Sequence, residues 1–229
     1  MQSLAAIPLF KSATDLDLKQ FERRCLWKKV EEGQILVDFE DRSNDVYFLA
    51  TGDVRIQIRT AGGKEVILAD MRAGEYFGEL AAIDGVARSA NVSALTRAEI
   101  CIISAGVFRE MIAASPILSD KLLRMLASRV RELNTRLLEH TVLDIRHRLY
   151  AELLRLSAPR PNAAPARVVS PPPVHHVLAA RVGCRREQIT RELSAMKADN
   201  LMERTRGAMV LLDPDVLRTR IAQAMRDAG

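Results

Sequence analysis

At Ser115-Pro116 the hydrophobic pattern of this chain switches from short alternating runs to a helical repeat, so the chain must combine a β-layered part with a helical one. Before the switch, Ile35-Leu36-Val37, Val46-Tyr47-Phe48-Leu49, Val54-Arg55-Ile56-Gln57-Ile58 and Val66-Ile67-Leu68 predict strands. Glu32-Gly33, Thr51-Gly52-Asp53, Gly62-Gly63 and Ala73-Gly74 predict the turns between them, and Ala98 to Ile103 a last strand. Short strands at near-regular spacing predict a small antiparallel barrel or double-stranded roll. Residues 1–24 read as short helical segments, with Phe10, Leu16, Leu18 and Phe21 as packing residues.

After the switch, Ser115 suits an N-cap, Pro116 the first helical position, and Asp120 the positive end of the helix dipole. Leu123, Leu126, Val130, Leu133 and Leu137 follow at 3-4-3-4 spacing, a seam of about two heptads framed by Arg and Glu. That seam predicts a parallel homodimer; the competing reading is a helix packed on its own barrel. A new unit begins at Leu143-Asp144, with Ile145, Leu149, Leu153 and Leu154 on one helical face. Residues 158–173 carry six prolines and read as a loop, with Arg167-Val168-Val169 as a short strand inside it. In VHHVLAARVGCRREQITRELSAMKADNL, Ala179, Gly183 and Ile189 stand where a helix-turn-helix needs a small residue, a turn glycine and an apolar packing residue. Val177, Leu178 and Val182 complete the inner face of its first helix. Arg185, Arg186, Glu187, Gln188 and Arg191 crowd the start of the second helix, and such side chains read major-groove edges. Residues 201–204 and 209–212, around Arg206-Gly207, predict a β-hairpin wing.

The second chemical stretch is FGELAAIDGVARSANV, residues 77–92. A glycine followed by a carboxylate, Gly78-Glu79, suits a helix start whose free N–H groups hold an anion. Arg88 offers a fixed charge and a planar fork for phosphate, and Ser89 a hydroxyl beside it. Glu79 only accepts when ionised, so a sugar hydroxyl is its natural partner.

Composition separates the two halves. Residues 144–229 hold 15 Lys+Arg against 9 Asp+Glu, a net +6, and residues 1–143 hold 19 against 20, a net −1. The excess basicity points to a polyanion at the C-terminal third. No apolar run approaches the roughly 20 residues that span a bilayer, and residues 1–20 do not read as a signal peptide. Cys25, Cys101 and Cys184 are scattered and odd in number, which predicts reduced thiols, no metal site and a cytoplasmic protein.

The Gly78-Glu79-Leu80 and Arg88-Ser89 pattern resembles the phosphate-binding cassette of cyclic-nucleotide-binding domains. That resemblance implies Glu79 on the ribose 2′-hydroxyl and Arg88 on the cyclic phosphate; Ser89, where kinase regulatory subunits carry Ala, is typical of bacterial regulators. Over nearly the whole chain the order of parts resembles the Crp–Fnr family of bacterial transcription regulators. Gly183-Cys184-x-Arg186-Glu187-x-x-x-Arg191 is similar to the recognition-helix motif of its cAMP-responsive members. By that match Arg186, Glu187 and Arg191 read bases of a TGTGA-like half-site, while Glu192 departs from the apolar residue common there. The family's iron–sulfur oxygen sensors carry an N-terminal cysteine cluster that this chain lacks. His175 and His176 read as exposed helix residues, not metal ligands.

The implied architecture is α+β: an N-terminal cyclic-nucleotide-binding β-roll over residues 1–114, a dimerisation helix and hinge over 115–143, and a C-terminal winged helix-turn-helix over 144–229. The implied function is a homodimeric, cyclic-nucleotide-dependent transcription regulator without catalytic chemistry, taking cAMP with cGMP as a second ligand. Double-stranded DNA and RNA polymerase are its implied partners, and no membrane is. The adenine-gripping Thr-Ser pair of the cAMP-responsive members falls at Leu133-Asn134, which nominates Asn134 with Thr135 as base contacts; the competing reading is that Asn134 only breaks the seam to fix its register. A regulator answering another signal, or binding DNA without nucleotide, is the alternative. A signalling module governing an attached enzyme or channel is disfavoured by the helix-turn-helix.

Overall fold

The computed structural model describes residues 3–60, 62–63, 65–161 and 164–228. It forms two compact units, Met1–Arg129 and Val130–Gly229. The first opens with two 3-10 turns, Leu4–Ala6 and Phe10–Ser12, and helix α1 (Leu18–Glu22). Strands β1 (Cys25–Val30), β2 (Ile35–Val37), β3 (Val46–Thr51), β4 (Asp53–Arg59), β5 (Glu65–Arg72) and β6 (Tyr76–Phe77) follow. After helix α2 (Glu79–Asp84) come β7 (Asn91–Ala94), β8 (Ala98–Ile103) and helix α3 (Ala105–Ala114). The strands build two antiparallel four-stranded sheets, ordered β1-β8-β3-β6 and β2-β7-β4-β5. This is the roll expected from the turn spacing.

Strand β3 explains why its sequence runs apolar without alternation. Tyr47 and Leu49 point between the sheets, onto Val54, Met71, Phe77, Val92 and Ile100. Val46 and Phe48 point the other way, onto Phe10, Phe21, Phe108 and Met111 of the turns and helices outside the sheet. A strand buried on both faces has no polar side to show. Each such side chain contributes about 1.5–3 kcal/mol of burial. Leu16 is buried and Leu18 half-buried in the same outer core, as their sequence positions suggest.

Helix α4 runs from Pro116 to Val142, and the division between the units falls inside it. Ser115 caps it, its Oγ accepting from the Leu118 N–H at 3.1 Å. Leu118 and Leu122 pack into the first unit's core, and Leu126, nominated for the seam, is half-buried against that same core. Leu123, Val130, Leu133 and Leu137 stay exposed, each by more than half.

In the second unit, helix α5 (Ile145–Leu156) is capped by Asp144, whose carboxylate accepts from the His147 N–H at 2.9 Å. Then come β9 (Ala158–Pro159), β10 (Arg167–Val169), α6 (His175–Val182), α7 (Arg186–Ala198), β11 (Met202–Arg204), β12 (Met209–Leu211) and α8 (Pro214–Asp227). The expected strand at 167–169 and the hairpin wing belong to one small sheet, ordered β11-β12-β10-β9. Its core joins Leu149, Leu153, Leu178, Ile189, Leu193, Met209 and Leu217. Under it lies a chain of ion pairs. Arg155 donates through Nη1 to both Glu139 oxygens at 2.8 Å and through Nε to Glu152 at 3.0 Å, and Arg181 reaches the other Glu152 oxygen at 3.3 Å. Glu139, Glu152 and Arg181 are buried. Among the described residues, no helix is long and apolar enough to cross a membrane.

Candidate ligand cassette and nucleic-acid interface

The cassette is assembled where β6 turns into α2. Gly78 makes that turn with φ +86, and a Cβ there would stand 2.6 Å from the Asp45 carbonyl and 2.7 Å from Arg88 Nη1. Only glycine fits both the backbone and the space. The space is needed because Arg88 is folded in, 3% exposed, against its own chain. Its Nε donates to Ser43 Oγ at 3.1 Å, Nη1 to the Gly78 carbonyl at 3.0 Å and Nη2 to the Asp45 carbonyl at 2.8 Å. The guanidinium also lies 5.5 Å from the Tyr47 ring centre, and that ring stacks on Phe77. These three bonds leave one N–H on each terminal nitrogen. Ser89 beside it is exposed, and so is Leu80.

Glu79 begins α2 and is 1% exposed. A carboxylate so deep needs a cation, and Arg129 of α4 supplies it, donating to Glu79 Oε1 and, at 3.2 Å, to the Tyr76 carbonyl. The other oxygen, Oε2, is buried with no hydrogen-bond partner, as is the Tyr76 hydroxyl. Burial pushes the Glu79 carboxyl above the usual carboxylate range, with Arg129 opposing the shift. Burial and the neighbouring Glu79 push the Tyr76 hydroxyl up to about 12. Sequence reasoning missed Arg129, Ser43, Asp45 and Tyr76. The one available signal was that an interior carboxylate demands a cation, which names a residue type and not a position.

The second unit carries the other site. Ala179, Val177, Leu178, Val182 and Ile189 are buried as the helix-turn-helix reading requires. Gly183 ends α6 at φ +74, and a Cβ there would meet the His140 ring at 2.9 Å. Arg185, Arg186, Glu187 and Arg191 are exposed around the start of α7, and their side chains make no hydrogen bond or ion pair among the described residues. Lys197, Arg204 and Arg206, on α7 and the wing, are likewise exposed and unpaired. Arg146, Arg160, Arg218 and Arg220 of the same unit are each held by a carboxylate. Apart from Arg131 on α4, the arginines and lysines of this unit whose side chains make no hydrogen bond or ion pair among the described residues lie on the recognition helix and wing. Gln188 differs from its neighbours: its Oε1 accepts from the Arg185 N–H at 2.9 Å, so it caps the helix start. Glu192 is held by Arg146 at 2.8 Å, which accommodates a charge at a position usually apolar. His175 is half-buried, its Nδ1 2.8 Å from Thr190 Oγ1, and His176 is exposed.

Asn134 and Thr135 lie exposed on α4, in the second unit, and Thr135 Oγ1 donates to the Arg131 carbonyl at 3.0 Å.

The sequence model of the cyclic nucleotide-binding domain matches residues 27–115, and that of the Crp-like helix-turn-helix domain matches residues 147–220. The chain belongs to the Crp–Fnr family. Among Crp–Fnr relatives, it is 29% identical over 201 residues to the cAMP-activated global transcriptional regulator CRP of Salmonella typhimurium, covering 85% of this chain and 93% of that one. It is also 29% identical over 203 residues to the cyclic AMP receptor protein of Thermus thermophilus, covering 89% of each. The fold is shared with a CooA mutant from Carboxydothermus hydrogenoformans, at TM-score 0.78, 18% identity and 96% coverage of both chains. It is shared too with the c-di-GMP responsive regulator CLP of Xanthomonas campestris, at TM-score 0.64, 24% identity, and coverage of 85% of this chain and 97% of that one. This Crp–Fnr chain is therefore a DNA-binding transcription regulator with a cyclic nucleotide-binding domain.

Proposed function

We propose that the chain is a homodimeric regulator that binds cAMP in the cassette and thereby presents two α7 helices to a TGTGA-like palindrome. The observation that carries the ligand reading is the buried, partnerless Glu79 Oε2 beside an Arg88 that keeps two free N–H groups. A ribose hydroxyl donates to the first and a cyclic phosphate accepts from the second, so the donor set fits a cyclic nucleotide. Exposed Leu123, Val130, Leu133 and Leu137, seven, three and four apart along α4, support the dimer, because a regular apolar row left in water calls for a partner helix. The test is calorimetric titration with cAMP and cGMP, with and without a TGTGA duplex. Saturable nucleotide binding that strengthens DNA binding is expected; DNA binding indifferent to both nucleotides sinks the reading. CooA and the c-di-GMP responsive CLP share this fold, so a regulator answering another signal is the second reading, and it gains if neither nucleotide binds.

Arg186, Glu187 and Arg191 carry base selectivity in this proposal, and Arg204, Arg206 and Lys197 contact phosphate. Arg186→Ala is expected to cost about 1–3 kcal/mol on the preferred duplex and to relax preference at one base position. Equal weakening on every sequence would make Arg186 a backbone contact.

Asn134 is proposed to read the base. Its carboxamide offers a donor and an acceptor and can flip, so it can serve adenine or guanine. Asn134→Ala should change the ratio of cAMP to cGMP affinity, measured by competition on the same protein. An unchanged ratio removes Asn134 from the site, and a wild type indifferent to cGMP ends the dual-ligand idea.

A further inference from the structure

The face of the β2-β7-β4-β5 sheet turned away from the core holds a groove of about 370 Å3 that the cassette does not use. Val54 and Ile56 of β4, and Val92 and Ala94 of β7, pack inward, which leaves Arg55, Gln57, Asn91 and Ser93 on the opposite face. Gln57 and Asn91 are directly paired across the two strands. Gln57 is 4% exposed, yet its carboxamide makes no hydrogen bond among the described residues. Asn91 Oδ1 is buried and also without a partner, while its Nδ2 makes a long 3.4 Å bond to Asp38. A buried polar atom left unsatisfied costs about 1–3 kcal/mol, and Asn91 Oδ1 is such an atom.

The charges on the groove decide what satisfies them. Its arginines are spent: Arg55 gives two bonds to Asp70, at 2.7 and 2.9 Å, and Arg59 is held by Glu65 at 3.1 Å. Asp38 and Glu32, also on the wall, have no cationic partner among the described residues. The open groups are thus the Asn91 oxygen, the Gln57 carboxamide, which by flipping can turn its oxygen to a donor ligand, and two carboxylates without a cationic partner, with the exposed Ile35 as an apolar wall. Such a site repels phosphates and nucleotides, and it suits a planar fork of N–H donors that reaches several acceptors at once. We propose that this groove is a second ligand site, built for a small cationic molecule of the guanidinium class. Its volume lies at the lower end for small-molecule sites, roughly 300–1,000 Å3.

Agmatine is the probe and inorganic phosphate the control, both titrated calorimetrically into the full chain. Agmatine is expected to bind saturably and phosphate not to compete with it. Gln57→Leu and, at the groove's edge, Asp38→Asn should each weaken agmatine at least tenfold while keeping the wild-type circular dichroism. In spectra of 15N-labelled protein the Gln57 side-chain amide signals should shift on addition of agmatine. No binding up to about 10 mM, near the weakest affinity worth the name, overturns the proposal, as does equal binding to both variants or displacement by phosphate.

Discussion

Arg88→Ala is expected to lower cyclic-nucleotide affinity tenfold to a hundredfold, more than any other single change in the cassette. A charge-assisted contact to a buried phosphate is worth about 1.5–3 kcal/mol, which is roughly that range of affinity. The structure adds a reason for the size of the effect. The guanidinium also ties the Gly78 and Asp45 carbonyls and Ser43 Oγ together, so its loss loosens the walls that would face the ligand. Arg88→Lys separates the two contributions, because it keeps the charge and gives up the fork. The lysine variant should fall between wild type and alanine in a cAMP titration. Affinity near wild type in Arg88→Ala would remove the phosphate from this place.

Arg155→Met should destabilise the second unit by about 3–5 kcal/mol, the usual cost of stripping one partner from a buried pair. Glu139 would lose the cation that meets both its oxygens, and Glu152 one of two. Arg155 is itself 29% exposed in its side chain, so the lower end of that range is the better expectation. Calorimetry is the suitable measurement, since the single tryptophan, Trp27, lies in the first unit and reports on that unit alone. The transition of the second unit should fall by at least about 10 °C. Adding Glu139→Gln should recover part of the loss, because a neutral amide tolerates burial better than an unpaired carboxylate, while Glu152 keeps Arg181. A transition within about 2 °C of wild type would show the network to be solvated and weak.

What was legible in the chain is what lies close together along it. The turn glycines, the Ser115-Pro116 start of α4 and the helix-turn-helix spacing each involve residues a few positions apart, and each is found where the pattern puts it. The Arg129–Glu79 pair spans 50 positions and leaves no periodic trace. The seat of Arg88 is built largely from backbone carbonyls, which any sequence has. Leu126 fits the seam by spacing alone; that it packs inward follows from the roll beneath it, which the helix's own repeat does not encode. Helices α3 and α8 were readable and went unread. Asp213-Pro214 is the same cap-and-proline start as Ser115-Pro116, with the Asp213 carboxylate accepting from Val216 at 3.1 Å. Strand β1 alternates imperfectly and leaves Leu26 62% exposed, so its pattern is a weak one.

Gly183 has a mechanical meaning beyond its backbone angle. The place its side chain would take is held by the ring of His140, in the last turn of α4. Arg148 of α5 braces the same turn, bonding the His140 carbonyl at 3.3 Å. The elbow between α6 and α7 therefore rests on the end of the long helix through a single side chain, the His140 ring set against the Gly183 backbone. If α4 rolls or slides at that end, the ring carries the displacement to the elbow as far as its own rotation allows. Any larger residue at position 183 would act as a shim, changing the pitch at which α7 is offered to DNA before a ligand is bound.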